Sequence, residues 1–184
     1  MLNHCGTKRI ELDRLILRKF EHKDNQDMLD YWISDEKIQN MYAEPVYSSR
    51  EEVKELLDKY NTSYKNNNYY RWAVIEKQSN ICIGQISIYY VDSENHYCEI
   101  EYCIGSKFQG NGYCTEVVKT ILKYSFENIN LNRVQVSHKE NNIASKKVIE
   151  KCGFVYEGTL RDYFYDNGKY IDRLYYSILK NEWS

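Results

Sequence analysis

Apolar and polar positions alternate with two periods along this chain, and each change of period marks a new element. Over residues 14–20, Leu15 and Leu17 recur at every second position, which predicts a first strand, and residues 24–33 then read as a short helix. Ser49 followed by Glu52 has the spacing of a capping box. Behind it Val53, Leu56, Leu57 and Tyr60 recur at i, i+3, i+4 and i+7, the stripe of an amphipathic helix. Three strand-like runs follow at 71–76, 81–91 and 97–104, joined by polar turns short enough for an antiparallel meander. The period changes again after a glycine-containing loop, where Val117, Val118, Ile121, Leu122 and Tyr124 form a helical stripe. Residues 133–138 alternate as a strand. Ala144, Val148, Ile149 and Cys152 then share a helical face closed by Gly153, and two strands carry the chain to Leu179. The predicted order is βααβββαβαββ, an α/β (α+β) fold with a mixed, mostly antiparallel central sheet flanked by helices. No repeat and no linker interrupts it, and the polar run 65–68 reads as a loop, so residues 1–184 are expected to form a single domain.

Composition narrows the function. A net charge of −2 removes the basic excess that a nucleic-acid binder needs. No run approaches the roughly 20 apolar residues of a membrane span, and the first residues lack the apolar core of a signal peptide, so a cytoplasmic protein with no membrane partner is expected. None of the six cysteines forms a C-x-x-C pair, which favours free thiols over a metal site.

The segment Phe108-Gln109-Gly110-Asn111-Gly112-Tyr113-Cys114-Thr115-Glu116 runs from a strand end into a helix. Its backbone N–H groups and the positive end of the helix dipole therefore face an incoming anion, for which a pyrophosphate is a natural occupant, although the two glycines also suit a plain tight turn. A Walker-type loop is excluded because Tyr113-Cys114 follows Gly112. A dinucleotide fingerprint is excluded by Thr115 at the third glycine position and by the meander upstream.

Gln109-x-x-Gly112-x-Cys114 resembles the Gln/Arg-x-x-Gly-x-Gly/Ala loop of the GNAT superfamily of N-acetyltransferases. The run Asn142-Ile-Ala-Ser145 through Lys151-Cys-Gly153-Phe154 is similar to that superfamily's Asn-x-x-Ser…Lys-x-Gly-Phe segment. Arg14-Leu-Ile-Leu-Arg18 and Gly158-Thr-Leu-Arg161 further resemble its ribosomal-protein N-acetyltransferase branch, which acetylates protein N-termini. The likeness spans almost the whole chain. It implies a GNAT-like sheet, acetyl-CoA as the acyl donor with no metal, and an amine acceptor, either a protein N-terminus or a small amine such as a polyamine, aminoglycoside or amino-acid analogue. It also implies residue roles. Backbone amides of Gly110, Asn111, Gly112, Tyr113, Cys114 and Thr115, with Gln109, would hold the CoA pyrophosphate, and the strand edge at Tyr102, Cys103 and Ile104 would pair with pantetheine. Asn142 is suited either to cap its helix or to bond pantetheine. Ser145 is suited either to protonate the departing CoA thiolate or to bond the backbone behind it.

Period-two alternation puts Glu99 and Glu101 on one face of a strand, roughly 7 Å apart, where like charges favour a base for the amine proton. The alternative is a solvated sheet face. In the resembling branch the motif reads Ala-Glu-Ile-Gly-Tyr, so Glu99 matches its glutamate and is the better base candidate. Glu101 replaces a glycine, as a substrate contact or a block. Ile149 stands where many members carry a tyrosine acid, leaving Tyr163 or Tyr165 to enter from later strands. His138 alternates with Val134 and Val136 and reads as a sheet or core histidine. Three rivals stay open: Cys114 as a covalent nucleophile, a non-catalytic acyl-CoA-binding sensor, and a nucleotide-binding domain.

Overall fold

The computed structural model describes residues 1–42 and 44–183, and of Tyr42 the backbone alone. Eight strands form one sheet in the spatial order β1-β2-β3-β4-β5-β6-β8-β7. Their spans are β1 Ile10–Glu11, β2 Leu15–Arg18, β3 Tyr70–Glu76, β4 Ile81–Asp92, β5 Tyr97–Ile104, β6 Arg133–Lys139, β7 Val155–Asp166 and β8 Lys169–Leu179. Every neighbouring pair is antiparallel except β5 and β6, which run parallel. The helices are α1 Asn25–Tyr31, α2 Glu36–Tyr42, α3 Arg50–Ser63, α4 Tyr113–Lys123 and α5 Ile143–Lys151. This is the mixed, mostly antiparallel sheet with flanking helices that the hydrophobic pattern predicts.

Alternation along the inner strands divides the core in two. Trp72 and Val74 of β3 join Ile100, Val117, Ile121 and Ile149 on the face covered by α4 and α5. Ala73 and Ile75 join Met28, Trp32, Val53 and Leu57 on the face covered by α1 and α3. The capping box holds: Glu52 N–H donates to Ser49 Oγ at 3.2 Å, and Ser49 N–H donates to the Glu52 carboxylate at 3.0 Å. Gly153, at φ +85°, closes α5 as a left-handed residue.

Two elements were not in the predicted order. The strand β1 is a two-residue pairing of Ile10 with Leu17 and Glu11 with Ile16, too short to show a period. The helix α2 has only Ile38 and Met41 as clearly apolar residues, and its N-terminus is held by Asp35, whose carboxylate accepts from Lys37 N–H at 3.0 Å and Ile38 N–H at 3.3 Å. After Lys123 the helix widens into a π-helical segment, Tyr124–Ile129, that ends on left-handed Asn130.

Candidate active site

The parallel pair β5/β6 is hydrogen-bonded only where Tyr97, Cys98 and Glu99 face Arg133, Val134 and Gln135. Beyond Glu99 the two strands part, which leaves one edge of β5 without a sheet partner. On the other edge Gly105 N–H donates to Ile83 at 2.8 Å, and the register pairs Gln85 with Cys103 and Ser87 with Glu101. In an antiparallel ladder alternate residues turn both backbone groups to the same neighbour, so the N–H and C=O of Tyr102 and Ile104 face the gap while those of Cys103 face β4. The strand edge expected at Tyr102, Cys103 and Ile104 is therefore carried by the first and third residues. A cleft of about 790 Å³ occupies the gap, and both the glycine loop and the two glutamates line it.

The loop ends at Gly112, the N-cap of α4 at φ +80°, with Gly110 at φ +81° before it; both are left-handed positions that suit glycine. Among the described residues no acceptor is paired with the N–H groups of residues 110–115, so the amide row is free to meet an anion. The loop's side chains do other work. Gln109 Nε2 donates to the Ile104 carbonyl at 2.8 Å, tying the loop to β5. Asn111 Nδ2 donates to the Phe108 carbonyl at 3.2 Å, and Tyr113 Oη donates to Glu76 at 2.6 Å. Burial pushes the Cys114 thiol up, with Cys103 and Cys152 adding to it, which suits a filler and disfavours the thiolate that a covalent nucleophile needs.

Asn142 caps α5, its Oδ1 accepting from Ser145 N–H at 3.1 Å. Ser145 Oγ lies 3.0 Å from Tyr102 Oη, which brings the strand edge and the α5 terminus together in the cleft. Ile149 is fully buried, Tyr165 is mostly exposed, and Tyr163 Oη accepts from Arg173 at 3.1 Å.

Glu99 and Glu101 share one face, as alternation requires, but each meets an arginine. Arg173 lies 2.8 Å from Glu99 Oε1, with Ser137 Oγ at 3.2 Å and Gln135 Nε2 at 3.3 Å from the same carboxylate. Arg71 lies 2.8 Å from Glu101 Oε1, and Ser87 Oγ donates to the same oxygen at 2.7 Å. Arg173 is framed by the rings of Tyr163, Phe164 and Tyr175 at 5.0, 5.9 and 4.7 Å. Glu44 also lines the cleft; burial and then nearby Glu101 push its carboxyl above the usual range, against the opposing pull of Arg71. Arg71, Arg173 and Glu44 escaped the sequence reading. A signal for the arginines existed, since two carboxylates on a central strand call for counter-ions inside neighbouring strands. No group of three or more His, Cys, Asp or Glu placed to hold a metal ion occurs among the described residues.

The family model described as an acetyltransferase (GNAT) domain matches residues 14–155. The chain belongs to the GNAT family. It is an acetyl-CoA-dependent N-acetyltransferase, as the family and its relatives establish. The chain is 32% identical to the uncharacterized N-acetyltransferase YnaD of Bacillus subtilis over 181 residues, 98% of this chain and 99% of the relative. It is 41% identical over 100 residues to the putative ribosomal N-acetyltransferase YdaF of Bacillus subtilis, 54% of this chain and 55% of the relative. Among solved structures, the spermidine N-acetyltransferase of Vibrio cholerae in complex with CoA and spermine is similar to this GNAT chain at a TM-score of 0.81 and 27% identity, covering 94% of this chain and 99% of that one.

Proposed function

We propose that this GNAT enzyme acetylates a protein N-terminal amine by direct transfer in a ternary complex in the cytoplasm. The observation that carries the reading is the single cleft in which the unpaired amide row of residues 110–115, the open edge of β5 and Glu99 all meet. Donor and acceptor entering one cleft need no acyl-enzyme between them. The loop amides hold the CoA diphosphate, and the Tyr102 and Ile104 backbone groups pair with the pantetheine arm. The Tyr102 N–H, at the Glu99 end of that edge and beside Ser145, polarises the thioester carbonyl, since Ile104 lies at the diphosphate end where Gln109 holds its carbonyl. Glu99 takes the amine proton, through a water where needed, and Ser145 returns a proton to the CoA sulfur.

The acceptor follows from the charge balance. Glu99 and Glu101 are each neutralised by an arginine, so this cleft does not offer the free carboxylate pair that a polycation would seek. A peptide with one terminal ammonium group fits better, in keeping with the YdaF relative's name. Glu44 supports the second reading, a polyamine or other small amine, because it adds a carboxylate at the cleft, and the Vibrio neighbour acts on spermidine.

Release of CoA thiol, measured with N-terminally free peptides and with spermidine, separates these readings. Peptide turnover is expected to dominate; spermidine alone as an acceptor reverses the assignment, and no thiol release with either moves the acceptor to another small amine. Replacing Glu99 with Gln is expected to lower turnover by roughly 10²–10⁴-fold with little change in acetyl-CoA affinity, whereas near-full activity in Glu99→Gln removes it as the base.

A further inference from the structure

The Arg14-Leu-Ile-Leu-Arg18 run is not used by the reading above, and its two arginines do different things. Arg18 lies 2.6 Å from Asp24 in a largely buried ion pair at the start of α1. Arg14, immediately before β2, reaches across to the donor loop. Its Nη1 donates to the Asn111 carbonyl at 3.0 Å, while Nε and Nη2 donate to Glu116 Oε2 at 3.1 and 2.7 Å. Its guanidinium stands 4.6 Å from the centre of the Tyr113 ring, and a Cβ at Gly112 would lie 3.8 Å from Nη2. The backbone beneath is fixed as well: the Arg14 carbonyl accepts from Lys77 N–H at 2.9 Å.

We propose that Arg14 is a positioning residue for the donor diphosphate, acting through the Asn111–Gly112 peptide. In a trans peptide the C=O and the following N–H point to opposite sides of the chain. Arg14 holds the Asn111 oxygen on its own side, so the Gly112 N–H is presented on the other. Gly112 and Gly110 sit in the left-handed region where glycine has access to several alternatives, so this peptide needs an external anchor to keep one orientation. The planar guanidinium spans Asn111 and Glu116 at once, bracketing the loop from its second glycine to the first turn of α4. A lysine ammonium, as a point charge on a flexible stem, cannot reproduce that fork. Arg14 thus sets the loop geometry, with the charge itself largely taken up by Glu116.

The inference rests on residues 109–115 being the diphosphate site. It is tested on the full chain by calorimetry with CoA and with 3′-dephospho-CoA, alongside melting of the ligand-free protein. Arg14→Ala and Arg14→Lys are both expected to weaken the two ligands equally, by about tenfold to a hundredfold, the range for losing a hydrogen bond from a charged donor. The ligand-free melting temperature should stay at the wild-type value. Unchanged affinity in Arg14→Ala overturns the proposal. So does wild-type affinity in Arg14→Lys, because charge alone then suffices, and so does weakening of CoA but not dephospho-CoA, which would place Arg14 on the 3′-phosphate. A fall in affinity that only tracks a fall in melting temperature makes Arg14 a fold residue and also overturns it. A wild-type chain that binds neither ligand removes the diphosphate site itself, an outcome distinct from a wild type that binds beside a variant that binds equally.

Discussion

Tyr102 and Ser145 meet through their hydroxyls, and which of them donates decides what Ser145 can do. Burial pushes the Tyr102 phenol well above its ordinary value, with Cys114 adding to the shift and the Ser145 hydrogen bond opposing it. Such a phenol stays protonated and so remains available as a hydrogen-bond donor. It is well suited to donate a hydrogen bond to Ser145 Oγ, which leaves the serine hydrogen free for another acceptor in the cleft. Asn142 fixes the same residue from the backbone side. Ser145→Ala is expected to lower turnover by roughly 10²-fold at unchanged CoA affinity, the lower end of what a positioned acid contributes. Tyr102→Phe should cost less, and the double variant should be no slower than Ser145→Ala alone, because the two groups act as one unit. Steady-state kinetics of the four proteins checks this. An undiminished Tyr102→Phe effect in the Ser145→Ala background would give Tyr102 a role of its own.

At the scale of elements, the donor edge is built on a close approach that only glycine permits. A Cβ at Gly84 of β4 would stand 2.2 Å from the Cys103 carbonyl oxygen and 2.9 Å from Ile104 Cα, both backbone atoms of β5. Gly84→Ala is therefore expected to destabilise the chain by about 1–3 kcal/mol and to weaken CoA binding, since relief must come from moving the strand edge that faces the cleft. Gly110→Ala meets nothing within 4 Å and should cost about 1–2 kcal/mol from its left-handed backbone alone. Urea denaturation with and without CoA distinguishes them. A Gly84→Ala chain as stable as wild type would mean that β4 and β5 can separate freely. These strands were legible in the sequence because a half-buried strand writes its face in period two, and the capped helix α3 because its stripe repeats at 3.6. The helix α2 was not, since it carries too few apolar residues to show a stripe and is stabilised by Asp35 and by contacts with β5 and β6. The candidate site divides the same way. Local features, the glycine loop, the Asn142 cap and the shared face of Glu99 and Glu101, could be read from spacing. Pairing could not: Arg173 lies 74 residues from Glu99, and parity alone says nothing about which strands become neighbours.

For the whole molecule, the most testable consequence lies on β6 beyond the point where β5 parts from it, where His138 is paired with β8 and borders the cleft. His138 is 4% exposed, stacks on Tyr176 at 5.4 Å, and has Nδ1 2.6 Å from the Lys139 carbonyl, so that nitrogen donates and Nε2 is left as a buried acceptor without a partner among the described residues. The histidine expected from alternation as a core or sheet residue is thus only half satisfied. Burial, the largest effect, lowers its pKa; the Lys139 carbonyl opposes this, Lys146 lowers it further, and Glu150 raises it. With a folded value below the unfolded one, the unfolded chain binds more protons in the interval between them, so stability rises with pH there. The contribution is fully present above the ordinary histidine value of about 6.5 and is lost as pH falls through the lower folded value. Carboxylates held low by their partners, such as Glu157 beside Ser177 and Arg133, act in a separate and more acidic window. Urea midpoints measured from about pH 7.5 down to about pH 4.5 should therefore begin to fall near pH 6.5 in the wild type, before the carboxylates titrate. His138→Gln should be less stable at neutral pH and lose that fall, because its buried amide does not titrate; Glu44, whose carboxyl burial pushes up, then leaves at most a rise in midpoint as pH falls. A fall in midpoint that persists unchanged in His138→Gln would remove His138 as its source.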